Sequence, residues 1–66
     1  MKLQYMIYDT YNAFLADRDV VTFTANIKGV KKFATYSDAY LRGERLVNDG
    51  KLTGGMWHVL ALPILN

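Results

Sequence analysis

The chain has 66 residues, a formal net charge of +2, and a composition that is 52% hydrophobic and 14% aromatic. That length accommodates one small domain, predicted over residues 1–66, or part of something larger, and the apolar content argues against a disordered chain. With no cysteine and one histidine, a disulfide framework and a multi-histidine metal centre are both excluded, and no cofactor is expected.

Stability is the first constraint. By size scaling a chain this short removes about 6,600 Å² from water on folding, and at about 25 cal/mol/Å² the apolar share contributes on the order of 100 kcal/mol. Ordering entropy of about 1.5 kcal/mol per residue nearly cancels that gain. An unusually apolar core or a partner chain must supply the margin, so a homo-oligomer is expected. Missing cysteines fit a reducing cytoplasm. Met1-Lys2-Leu3-Gln4 lacks the apolar core and small-residue cleavage site of a signal peptide, which predicts no export. Met56 to Leu65, the longest apolar stretch, contains His58 and Pro63 and falls short of the ~18 residues of a membrane span. A soluble cytoplasmic protein with no membrane partner is the expectation. Eight basic residues against six acids permit an acidic partner without demanding one.

In chain order, Leu3, Tyr5 and Ile7 alternate with Lys2, Gln4, Met6 and Tyr8, the period-two signature of a strand with one face inward. Asp9-Thr10-Tyr11-Asn12 reads as a turn, and Ala13-Phe14-Leu15-Ala16 as the return arm of a hairpin. Asp17-Arg18-Asp19 closes that arm, and Val20 to Phe23 predicts a third short strand. Thr24 to Gly29 predicts a loop or a single helical turn. Val30 and Phe33 stand three apart, with Lys31 and Lys32 expected to point away from them.

Thr35-Tyr36-Ser37-Asp38 is a helix entry: Thr35 can accept from the backbone N–H three residues on while Asp38 is expected to reach back in a capping-box arrangement, and the acid complements the helix dipole. Tyr36, Ala39, Tyr40, Gly43, Leu46 and Val47 then recur at helical spacing and form one apolar stripe, predicted to pack on the sheet. Ala39 and Gly43 allow close approach. Asp49-Gly50 ends the helix, with Gly50 suited to a left-handed conformation. After a glycine-bearing loop, Met56 to Leu62 predicts the last strand, and Pro63 stops its ladder. Met56, His58, Leu60 and Leu62 fall on one face, and Trp57, Val59 and Ala61 on the other. Both faces are largely apolar, whereas one helix covers one face of a sheet, so the second is expected to meet a partner. The fold class predicted is α+β: a small antiparallel sheet of three to four short strands with one helix on one face, in the order ββ(β)αβ.

Chemistry-bearing groups are sparse. His58 sits in the apolar alternation of the last strand and reads as structural or interfacial. Asp17 and Asp19 flank Arg18 in a turn and read as solvated charges, not as a catalytic carboxylate pair. Ser37 has no base beside it and belongs to the helix start. Gly50-Lys51-Leu52-Thr53-Gly54-Gly55 superficially suggests a phosphate loop, but it follows a helix instead of opening one and lacks the required spacing. No nucleophile, base and orienting group can be assembled, so an enzyme is not expected.

Tyr5-Met6-Ile7-Tyr8-Asp9, Phe14-Leu15, Thr22-Phe23-Thr24, the run from Val30 to Ala39, and Trp57-His58-Val59 together resemble a loose group of short bacteriophage-encoded accessory proteins. In that group a hairpin with an aromatic-rich first strand leads into a Phe-x-Ser/Thr-x-x-Glu/Asp-Ala helix entry and a closing strand. The resemblance covers nearly the whole chain. It implies a non-enzymatic phage or mobile-element protein that binds and inhibits or modulates a host protein or defence complex by covering its surface, in the host cytoplasm. It carries over no catalytic residue. The residues expected to bind the partner are Tyr8, Tyr11, Trp57, His58, Ile64 and Leu65, because large amphipathic rings dominate interface energetics. A competing expectation is a small nucleic-acid-binding module using Lys28, Lys31, Lys32, Arg42 and Arg45, with nearby aromatic rings for stacking. A minor structural virion component is a further alternative.

Overall fold

A computed structural model describes residues 2–63. Five elements build it: β1 (Leu3–Asp9), β2 (Ala13–Leu15), β3 (Phe23–Thr24), α1 (Tyr36–Asn48) and β4 (Trp57–Pro63), with a 3-10 turn at Ile27–Gly29. The strands form one antiparallel sheet in the order β3-β2-β1-β4. The predicted α+β class and the single helix on one face are therefore both present.

β1 is the central strand and pairs along its whole length with β4, from Leu3 opposite Pro63 to Asp9 opposite Trp57. Its pairing with β2 is far shorter, covering Tyr8 with Phe14 and Asp9 with Ala13. Beyond that point the two strands diverge, and the segment from Gly29 to Phe33 enters the gap. Tyr5 and Phe33 exchange backbone bonds of 3.0 and 2.8 Å, while Lys31 N–H donates to Leu15 O and Asp17 N–H to Gly29 O, both at 2.9 Å. Extended backbone sends residues three apart to opposite faces. Val30 is accordingly buried on the side of its bridge partner Ala16, whereas Phe33 joins the core beneath the helix. The three-residue spacing that suggested one shared apolar side is thus corrected, and Lys31 and Lys32 point to opposite faces.

Two further expectations shift. The third strand is Phe23–Thr24, not Val20 to Phe23, because Val20 and its neighbours belong to the connection that leaves β2. The turn after it is capped by Asn26, whose Oδ1 accepts from Lys28 N–H at 3.1 Å; Thr24 Oγ1 instead accepts from Asn26 N–H at 3.0 Å. Pro63 is the last residue of β4 and not a residue beyond it. At that position the missing N–H faces away from β1, so the proline removes no ladder bond.

α1 begins at Tyr36 because Thr35 is its N-cap, accepting from Asp38 N–H at 3.1 Å. Its end is a Schellman arrangement: Gly50 has φ 76°, its N–H donates to Val47 O at 3.0 Å, and Lys51 N–H donates to Leu46 O at 2.8 Å. The helix lays Ala39, Gly43 and Leu46 onto β1 and β4. Ile7, Leu15, Ala39, Leu46 and Leu52 form the buried core, with Tyr5, Phe23, Phe33, Val47, Trp57 and Val59 packed around it.

Candidate functional site

Alternation along β1 and β4 gives the sheet two unlike faces. Tyr5, Ile7, Trp57 and Val59 lie under α1 within the core cluster. Their sequence neighbours point the other way, and the register sets them side by side: Gln4 opposite Leu62, Met6 opposite Leu60, and Tyr8 opposite both His58 and Phe14. Met6 forms the buried floor of this second face, while Leu60 and Leu62 keep 40% and 43% of their surface exposed. The ring of Tyr8 meets that of Phe14 edge to face at 5.0 Å, a preferred geometry for aromatic pairs.

The residues expected to bind a partner do not form one patch. Tyr8 and His58 are cross-strand neighbours on the open face. Tyr11 stands apart at the tip of the β1–β2 turn, exposed. Trp57 lies on the helix side, where a Cβ on Gly43 would overlap its six-membered ring and where Tyr40 packs at 5.4 Å between centroids. Its ring therefore fills the space that the glycine leaves in α1. Ile64 and Leu65 lie outside the described residues. Leu60 and Leu62, which the alternation had already placed beside His58, are the open-face residues that the sequence reading did not select, although they are exposed where the larger Trp57 is half-buried.

The basic residues are dispersed as well. Lys31 faces α1, with its Nζ 3.8 Å from Asp17 Oδ1 and 5.8 Å from the centre of the Phe33 ring. Lys32 lies on the other face and donates to the carbonyls of Ile27 and Val30 at 3.4 and 3.3 Å. Arg42 shares a cleft with Lys31, Asp17, Arg18 and Asp19, a lining of mixed sign. Arg45 sits further along the helix, in a shallow cleft it lines with Asp38, Leu41 and Arg42, and Lys28 is exposed on the 3-10 turn. Sequence proximity overstated this cluster, because extended backbone separates adjacent lysines by the thickness of the sheet.

One acid is buried. Asp9 closes β1, and its Oδ2 accepts from Asn12 Nδ2 across the turn, while its Oδ1 has no hydrogen-bond partner among the described residues. Among the described residues no group of three or more His, Asp or Glu side chains is placed to hold a metal ion, and no helix is long and apolar enough to cross a membrane. No known protein family, no characterised protein sequence and no solved structure matches the chain.

Proposed function

We propose that this is a non-enzymatic accessory protein, of the kind carried by bacteriophages or mobile elements, that acts by covering a surface of a host protein. The observation that carries this reading is the open sheet face, where Tyr8, His58, Leu60 and Leu62 stand on the side opposite the helix. The exposed leucines of this face bind by removing their own area from water, about 25 cal/mol for each Å² buried. Met6 beneath them is already buried, so the ordering cost of docking falls on the exposed side chains alone. In this reading Tyr8 is the aromatic anchor, held upright by Phe14, and Leu60 and Leu62 supply the apolar surround.

Affinity purification from a bacterial host lysate, with mass spectrometry of what is retained, tests the reading when run beside the double variant Tyr8→Ala/Leu62→Lys. A host protein captured by the parent chain and lost with the double variant supports it. Capture that is indifferent to the double variant, or no capture, overturns it.

A further inference from the structure

We infer that the outer edge of β4 is a pairing surface for a second copy of this chain, joining two four-stranded sheets into one continuous antiparallel sheet. This goes beyond the open-face reading, because it uses the strand's edge and does not require a host protein.

Which backbone groups lie on that edge follows from the register. Thr10 N–H donates to Met56 O at 2.9 Å, which makes this pair the hydrogen-bonded kind. In an antiparallel ladder the kinds alternate, so Met56, His58, Leu60 and Leu62 direct their N–H and C=O groups at β1. Tyr5, which exchanges bonds with Phe33 on the other side of β1, confirms the phase. Trp57, Val59 and Ala61 therefore turn their N–H and C=O groups outward, and β4 is the last strand of the sheet on that side.

The two edges of the sheet are protected unequally. β3 is two residues long and offers almost nothing to pair with. β4 has seven residues, Trp-His-Val-Leu-Ala-Leu-Pro, without lysine, arginine or acid. Edge strands are normally blunted by charge, shortness, bulges or proline; here the one such device, Pro63, stands at the far end. Neither flank of the edge carries a lysine, an arginine or an acid. On the helix side an open cleft of about 350 Å³ is lined by Tyr36, Tyr40, Trp57 and Val59, and on the other side are Leu60 and Leu62.

A second copy fits this edge because the strand is complementary to itself. With a twofold axis at Val59, Val59 faces its own symmetry mate and Trp57 faces the mate of Ala61. Each outward residue then gives one bond and takes one, and none of the three is a proline. On the open face His58 falls opposite the mate of Leu60, so no charged side chain of either strand meets a like charge.

Hydrogen exchange of the purified protein tests this without any host factor. The amides of Trp57, Val59 and Ala61 should gain protection as protein concentration rises, while those of His58 and Leu60, bonded to β1, should not. Light scattering over the same range should show the mass of two chains. Ala61→Pro deletes an outward N–H and no bond to β1, and the two bonds lost per dimer should weaken association on the order of tenfold or more. A chain that remains single at the highest concentration, or pairs without added protection at Trp57, Val59 and Ala61, overturns the inference. Since the open-face double variant is read by capture of a host protein, the two proposals fail separately.

Discussion

Ala13 has φ 76°, a left-handed conformation that costs an L-residue about 1–2 kcal/mol. The cause is the turn that precedes it: Asn12 N–H donates to Asp9 O at 3.2 Å, and the next residue must reverse its twist to pair with β1. Glycine is the usual occupant of such a position, since it lacks the Cβ that makes the conformation unfavourable. Ala13→Gly is expected to stabilise the protein by about 1 kcal/mol, net of the added freedom of the unfolded chain. Thermal unfolding followed by circular dichroism checks it, with a rise of about 4–8 °C for a domain of this size. The strain could not be read in the sequence, where Asp9-Thr10-Tyr11-Asn12 announces a turn without saying which residue takes the positive φ. Asp9 is a similar case. It reads as an ordinary turn acid, yet it is buried, with Asn12 as its side-chain donor.

At the scale of elements, the contact between α1 and β4 depends on an absence. Gly43 sits on the buried stripe of the helix, and the Trp57 ring occupies the volume that a side chain would need. By propensity alone Gly43→Ala would favour the helix by about 1 kcal/mol. Here the added methyl must displace a ring already held by Tyr40, and overpacking of this kind costs about 1–3 kcal/mol. The variant is expected to be less stable than the parent, measured as a lower denaturant midpoint. A midpoint raised by the substitution would show that the ring moves freely. The helix itself was legible from its own residues: Thr35 caps it, Gly50 ends it, and Ala39, Gly43 and Leu46 are buried as the spacing required, whereas Tyr36 and Tyr40 of the same stripe stay 53% and 42% exposed at its margin. Those signals are local, acting through bonds to residues three or four positions away. The segment from Gly29 to Phe33 was not legible, because its partners, Tyr5 on β1 and the Leu15–Asp17 stretch at the end of β2, lie in two separate parts of the chain.

The molecule as a whole has two layers, with one helix on one face of four short strands. A sheet so covered exposes a second face, and its longest free edge carries no charge. If two copies pair along that edge, folding and association are linked by mass action. The melting temperature is then expected to rise with protein concentration for the parent chain and to lose that dependence in Ala61→Pro. Calorimetry at several concentrations measures it. A concentration-independent transition in the parent would count against pairing at any stage of unfolding.

Period-two alternation in the first and last strands, the helical stripe and the caps were fixed by the chain alone, since each depends on neighbours within a few residues. They determined that this is a hairpin-led sheet with one helix and a second apolar face. Which side Trp57 took, where Lys31 and Lys32 pointed, and which strand kept an open edge were decided by the tertiary structure. Each of these depends on strand order and on the insertion of residues 29–33 between β1 and β2, and pairings between distant segments leave no periodic trace in the residues that make them.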